Sequence, residues 1–206
     1  MCDRGSSFCL FINLNLKNWL VLRNVKIAEK QIASKDSRVV TELLHCIGDI
    51  ERISDHALNI AEAAKEIHDK DIAFSDKAKK DLAVIIAAVW ETLDLAITSL
   101  INDDVEIAKS VEPLEQVIDN LKRKIKNGHI SRLRQGDCTM ELGFILSDLL
   151  TNFERISDHC SNIAGCIIEI AHNSLGMHEY FSKLKKDDTF YKEKYGSYLD
   201  KYIVQM

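Results

Sequence analysis

The strongest constraint on this chain is a six-residue repeat. The string ERISDH occupies residues 51–56 and recurs unchanged at residues 154–159. Asn-Ile-Ala follows each copy in register, at 59–61 and 162–164, so a constant offset of 103 positions relates the two copies. Such a match with aligned flanks indicates an internal duplication. The chain is therefore expected to contain two related structural units.

Composition predicts an all-α protein. The 206 residues are 46% hydrophobic, which is enough to bury a core, and only eight glycines and one proline interrupt the chain. The formal net charge of -5 and the absence of a basic stripe argue against nucleic acid as a partner. No stretch has the roughly 18–20 apolar residues of a membrane-spanning helix. We therefore expect a soluble, cytoplasmic polypeptide that does not bind nucleic acid.

Apolar residues spaced at three and four positions predict the helices. We expect helices at 16–32, at 36–68 with Asp36 or Ser37 as N-cap, and at 76–101 with Ser75 as N-cap. A further helix runs to Lys126, is closed by Asn127-Gly128, and is kinked or divided at Pro113. The second copy of the repeat lies on a helix over 139–172.

The helices group into two units and a tail. Residues 1–72 form an incomplete first repeat, because no equivalent of the second unit's first helix precedes it. Residues 73–175 form a complete three-helix repeat, and residues 176–206 form a helical tail. The tail places four tyrosines on one stripe, which favours a docking surface: Tyr191, Tyr195, Tyr198 and Tyr202.

Three pairs of acidic residues share the same helical spacing. They are Glu51 with Asp55, Glu154 with Asp158, and Glu115 with Asp119. A spacing of four places both carboxylates of a pair on one helix face, about 5–6 Å apart at Cβ. In an antiparallel bundle the pair at 115 and 119 can face the pair at 154 and 158, which gathers four carboxylates around one point.

Such a cluster needs protons or a cation. At an effective dielectric constant of ~20 and a separation of ~6 Å, each pair of like charges costs roughly 3 kcal/mol. Oxygen ligands suit magnesium, manganese, calcium or ferric iron, and a nitrogen from His159 would favour iron or zinc. His159 follows Asp158 directly and so points about 100° away from it. The alternative interpretation is that these acids are solvated and paired with Arg52, Arg155 or Lys122.

The motifs resemble the PhoU-like domain, in the form that ends bacterial sodium/phosphate cotransporters. The resemblance rests on ERISDHxxNIA at 154–164, EQVID at 115–119, HISRLRQGDC at 129–138 and HNSLGMHEY at 172–180. It implies a pair of antiparallel helical-bundle repeats with E(D)xxxD motifs that hold metal clusters. The implied ligands are Glu115, Asp119, Glu154 and Asp158 in the second unit, and Glu51 and Asp55 in the first.

The chain departs from the family pattern in its first unit. Positions 12 and 16, where acidic partners are expected, carry Ile12 and Leu16. We therefore expect the second unit to hold a divalent or ferric ion (iron, zinc, manganese or magnesium) more tightly than the first. The exposed apolar stripe expected on the helix over 36–68 would favour a homodimer or a cover supplied by a transporter.

The resemblance implies a role in phosphate transport, in one of two forms. The first is a regulatory metal-binding fragment of a sodium/phosphate cotransporter, located at the inner face of the plasma membrane beside a membrane transporter domain. The second is a stand-alone PhoU-type adaptor in phosphate signalling. An enzyme such as a di-iron oxidase is disfavoured, because the ExxH spacing at Glu42 and His45 is not kept in the second copy, where Asp148 stands in place of the histidine.

Overall fold

A computed structural model describes residues 34–172 and 189–203 of the chain. These ranges contain six helices and no strand, which confirms the all-α prediction. They are α1 Ser34–Asp69, α2 Asp76–Asn102, α3 Val105–Ala108, α4 Val111–Gln135, α5 Met140–His172 and α6 Thr189–Lys201. The predicted helix at 16–32 and the acidic-partner positions Ile12 and Leu16 lie outside the described residues. The boundaries of the two units stay a prediction.

The two copies of the repeat lie on α1 and α5, which pack against each other in antiparallel orientation. Asp49 of α1 contacts residues 159 and 162 of α5, whereas His56 and Asn59 contact residue 152. Residue numbers thus rise along one helix as they fall along the other. Helix α5 also packs on α2 and α4, so it forms the centre of the bundle.

Helix α1 begins earlier than the sequence predicts. It starts at Ser34, so Asp36 and Ser37 lie inside the helix rather than at its cap. Among the apolar residues of α1, Leu43 and Ile50 are buried, whereas Ala61 and Ala64 are exposed. The C-terminal part of α1 therefore has a narrower buried face than its alanine spacing indicates.

Helix α2 is a core helix with the predicted N-cap. The Ser75 hydroxyl accepts a hydrogen bond from the backbone N–H of Ala78, and Asp103 in left-handed conformation ends the helix. By length and apolar composition alone α2 is the one described helix that could cross a membrane. Core helices of globular proteins share these features, and α2 buries Ile85 and Leu100 completely.

A buried ion pair links α2 to α4. Arg132 donates from Nη1 to Asp81 Oδ2 at 3.1 Å, and each side chain is only 6% exposed. Nε and Nη2 of Arg132 have no hydrogen-bond partner within the described ranges. The guanidinium charge therefore depends on this single carboxylate.

Helix α4 continues beyond its predicted end. The helix passes through Asn127 and Gly128 and ends at Gln135, where Gly136 takes the left-handed conformation with φ 80°. The buried face continues with His129 and Arg132, and this packing outweighs the roughly 1 kcal/mol that glycine costs inside a helix. Pro113 lies in the first turn of α4, directly after the break from α3, so the predicted division occurs just before it.

Helix α6 docks its tyrosine stripe onto the bundle, as the spacing predicts. Tyr191, Tyr198 and Tyr202 are buried. Asn120 Nδ2 of α4 donates to the Tyr195 hydroxyl at 2.8 Å, and the Tyr202 hydroxyl donates to Glu91 of α2. The tail therefore covers one side of α2 and α4.

Candidate carboxylate site and the polar seam between the repeats

The second copy of the repeat places three predicted ligands close together. Asp119 of α4 faces Glu154 and Asp158 of α5. Burial, followed by the charges of Glu154 and Asp158, raises the pKa of Asp119. Burial and Glu154 likewise raise the pKa of Asp158. Negative charge is thus concentrated in a half-buried place, as the facing of the two acidic pairs predicts.

Basic side chains partly neutralise this cluster. The Lys122 ammonium forms an ion pair with Glu154, and Arg155 donates from Nη1 to Asp158 Oδ2 at 3.3 Å. These are two of the three basic partners considered as the alternative to metal binding. In this arrangement Lys122 supplies the positive charge that a bound cation would otherwise supply.

Glu115 lies one turn before Asp119 and belongs to the part of α4 that the tail covers. Together with burial and Glu112, its charge raises the pKa of Tyr191 in α6. One turn earlier on α4, Glu112 accepts a hydrogen bond from the Ser161 hydroxyl of α5. The fourth predicted ligand is therefore at the tail-facing end of the site.

The first copy has a different environment. Glu51 and Asp55 are exposed, whereas the side chains of Glu154 and Asp158 are only 25% and 34% exposed. Helix α1 packs mainly on α5, and α4 approaches α5 rather than α1. The structure thus brings Asp119, Glu154 and Asp158 together, with Glu115 nearby, and leaves Glu51 and Asp55 on the surface.

The oxygen donors suit a hard cation, but their present arrangement is not a finished site. Carboxylate oxygens are the donors that magnesium, manganese or ferric iron prefers. Across residues 34–172 and 189–203, however, no group of three or more His, Cys, Asp or Glu side chains is close enough to hold a metal ion. Binding would require Lys122 to leave Glu154.

A polar seam between α1 and α5 uses the remaining residues of the repeat. His56 and Asn59 both contact Asn152 Oδ1, at 2.9 and 3.1 Å. His159 and Asn162 both contact Asp49 Oδ1, at 2.8 and 3.2 Å. The two acceptors are separated by the same offset of 103 positions as the motifs, so the seam is two-fold pseudosymmetric.

The seam shows what sequence reasoning missed. The His159 side chain is only 12% exposed, because its Nδ1 contacts Asp49 on the opposite helix. Asp49 and Asn152 were not identified, although both precede their ERISDH string by the same two positions. Their shared register was the available signal, and the change from acid to amide concealed it.

Comparison with known proteins assigns the chain to a family. The PhoU domain model matches residues 15–64 and 84–167, which together make up well over half of the chain. The chain therefore belongs to the PhoU domain family. This finding confirms the resemblance to the PhoU-like domain.

Three curated relatives have closely related descriptions. The chain is 27% identical over 136 residues to phosphate-specific transport system accessory protein PhoU homolog 1 of Thermotoga maritima, covering 66% of this chain and 58% of the relative. It is 26% identical to the Deinococcus radiodurans PhoU homolog, covering 67% and 63%. It is 21% identical to the Pseudomonas aeruginosa PhoU homolog, covering 78% and 66%. The aligned region thus spans about three fifths of the first two relatives.

A solved structure has the same fold. The crystal structure of PhoU from Pseudomonas aeruginosa matches with a TM-score of 0.71 and 20% sequence identity, covering 84% of this chain and 82% of that one. At this identity the match shows the fold alone. Both comparisons agree with a PhoU-like helical bundle.

Proposed function

We propose that this chain is a non-enzymatic accessory protein that regulates phosphate transport. The observation that carries the proposal is the PhoU domain match over both copies of the repeat. The relatives named above are described as accessory proteins of the phosphate-specific transport system.

Of the two forms considered, the adaptor is the better supported. The names of the relatives point to an accessory protein that acts beside a transporter. The interpretation as a cotransporter fragment depends only on two sequence motifs, at 129–138 and 172–180. We therefore propose a cytoplasmic adaptor whose partner is a component of the phosphate transport machinery at the membrane.

Functional complementation tests this proposal. The untagged chain would be expressed in a bacterium whose own PhoU-encoding gene is deleted, and uptake of radioactive phosphate would be measured in phosphate-rich medium. We expect the chain to restore regulated uptake. Uptake identical to that of the empty vector, at equal protein level, would contradict the proposal.

We further propose that Asp119, Glu154 and Asp158, with Glu115 nearby, bind a hard cation. Burial, and after it the charge of neighbouring acids, raises the pKa of Asp119 and Asp158, and a cation would relieve the repulsion among these acids. When bound, the cation supplies positive charge that connects α4 to α5. To bind the ion, the protein would release Lys122 from Glu154 and orient three carboxylates that come from two helices.

A matched pair of variants tests metal binding. Asp158→Asn and Asp55→Asn alter the same position of the two copies and keep the side-chain shape. A metal present at 100 times its dissociation constant stabilises the folded state by about 2.7 kcal/mol. We expect Asp158→Asn to lose most of the shift in melting temperature that magnesium, manganese or iron produces, and Asp55→Asn to keep it. Equal loss in both variants would contradict the asymmetry.

We also propose that a second copy of the chain covers the outer face of α1. Leu44 and Leu58 are 53% and 58% exposed on that helix, and exposed apolar side chains favour association. Sedimentation at micromolar concentration is the test. A monodisperse monomer would count against the homodimer.

A further inference from the structure

We infer that His56 and His159 form a binding site for a divalent transition metal ion that prefers imidazole ligands, such as copper, nickel or zinc, in the seam between the two repeats. The site uses different side chains from those of the neighbouring carboxylate cluster and does not depend on the proposed function. It uses the two histidines of the duplicated motif, one from α1 and one from α5.

The acceptors in the seam fix the tautomer of both rings. Asn152 Oδ1 is an amide oxygen and can only accept, so the proton of the contact with His56 is on Nδ1 of the ring. The Asp49 carboxylate likewise accepts from Nδ1 of His159. A neutral imidazole with its proton on Nδ1 carries a lone pair on Nε2. Both rings can therefore act as metal ligands without losing a hydrogen bond.

The antiparallel helices place the two Nδ1 contacts on the outer sides of the pair of rings. His56 contacts residue 152 of α5, which lies seven positions before His159. His159 contacts residue 49 of α1, which lies seven positions before His56. The Nδ1 atoms thus point toward opposite ends of the seam. Because the outward directions of Nδ1 and Nε2 diverge widely in an imidazole ring, we infer that each Nε2 points away from its own acceptor and toward the other ring.

The two rings are close and nearly parallel. Their centroids are 5.7 Å apart, with an angle of 22° between the planes. No hydrogen bond to either Nε2 is found in the part of the chain that the structure describes. Two lone pairs without protein partners therefore share one half-buried place.

The surrounding contacts resemble those of a prepared metal ligand. Ligating histidines commonly donate their second ring nitrogen to a carboxylate or carbonyl oxygen, which fixes the ring and makes it more basic. Here Asp49 performs that role for His159 and Asn152 performs it for His56. Asn162 and Asn59 donate to the same two oxygens and hold them in position.

The ligand chemistry selects the class of ion. Two neutral imidazoles favour copper, nickel or zinc over magnesium or calcium, which prefer oxygen. Water completes the coordination shell, and affinity is expected to be highest for copper(II) among these ions. The carboxylate cluster has the opposite preference, so the two sites can be distinguished by the choice of ion.

Copper(II) titration of the untagged full chain tests the site. We expect one tight equivalent whose electron paramagnetic resonance spectrum shows coupling to two imidazole nitrogens. His56→Gln and His159→Gln should each remove one nitrogen coupling and weaken binding by more than the 10–100-fold that loss of an orienting group costs. Asp49→Asn should weaken it by roughly 10-fold or less, because the amide oxygen still accepts.

Controls separate this site from surface binding and from the carboxylate cluster. His45→Gln and His68→Gln change exposed histidines of α1 and should leave copper binding unchanged. Asp158→Asn should also leave the tight copper equivalent in place, whatever it does to magnesium. Equal weakening by all four histidine variants, or none by His56→Gln and His159→Gln, would overturn the inference.

A measurement on the wild-type chain covers the case in which a seam variant does not fold. Diethyl pyrocarbonate modifies accessible imidazoles, and mass spectrometry locates the modified residues. One equivalent of copper should protect His56 and His159 and leave His45 and His68 reactive. Modification of all four at unchanged rates would equally overturn the inference.

Discussion

The two copies of ERISDH have one sequence and two environments. In the first copy, Glu51 and Asp55 are exposed on α1. In the second copy, Glu154 and Asp158 are half-buried beside Asp119 of α4. The histidines of both copies, by contrast, make equivalent contacts across the seam. Duplication therefore preserved the contact between the copies, while the neighbouring helices decide which acids come together.

The largest expected effect comes from breaking the scaffold around the second copy. Asp81→Ala removes the one carboxylate that pairs with buried Arg132 between α2 and α4. We expect a loss of about 3–5 kcal/mol in the free energy of unfolding, because an uncompensated charge stays buried. Urea denaturation measures it.

Two control variants sharpen this result. Lys70→Ala removes exposed ion pairs with Glu66 and Glu141 and should cost less than about 1 kcal/mol. The double variant Asp81→Leu with Arg132→Met replaces the buried pair by apolar side chains and should recover much of the stability. A small effect of Asp81→Ala would mean that water reaches the guanidinium.

The next largest effect is expected in the seam, where the two copies make equivalent contacts. Asp49→Ala leaves His159 and Asn162 without their shared acceptor, and Asn152→Ala does the same to His56 and Asn59. Each change should lower the free energy of unfolding by about 1–3 kcal/mol, the cost of unsatisfied donors in a half-buried place. Thermal or urea unfolding of the metal-free variants measures both. Costs that differ by more than 2 kcal/mol would contradict the symmetry of the seam.

A smaller effect is expected from Lys122, whose ammonium group partly neutralises the acids of the second copy. Lys122→Gln removes the ammonium beside Glu154 without removing a carboxylate. We expect metal affinity to rise about tenfold, equivalent to about 1.4 kcal/mol, because the ion no longer competes with lysine. Isothermal titration with manganese measures the change. Lys124→Gln, at an exposed position of α4, is the control and should leave affinity unaltered.

The smallest effect is a pH dependence. The pKa of Asp158 is raised in the folded state by burial and by Glu154, so the stability present at low pH is lost as pH rises through that raised pKa. Metal-free Asp158→Asn should therefore be more stable than wild type at pH 7, by less than about 1 kcal/mol because the group is partly exposed. The gain should shrink as pH falls through the raised pKa, because wild-type Asp158 then takes up a proton.

Asp55→Asn provides the matched comparison for that titration. Asp55 is exposed, so its replacement should change stability by no more than about 0.5 kcal/mol at either pH. Melting temperatures measured from pH 4 to 7 in the absence of metal test both variants. A pH-dependent gain of equal size in Asp55→Asn would show that the environments of the two copies do not differ.

The sequence by itself determined the helices, the duplication and the spacing of the acidic pairs. These features depend on neighbours within a few turns, such as the Ser75 cap and the apolar period of α2. The family could also be predicted, because the repeat motif is long and occurs twice. Local patterns failed at Asn127-Gly128, where packing of the next two turns carries α4 through a glycine to Gly136.

Which acids lie together, and which side chains they contact, depends on tertiary packing. Burial of a carboxylate depends on the helices that pack over it, and those contacts join residues far apart in the chain. The two identical strings therefore have different environments. Helix α4 brings Asp119 and Lys122 to Glu154, whereas Glu51 stays exposed. The same non-local packing pairs His56 with Asn152 and His159 with Asp49, which no spacing within either helix could specify.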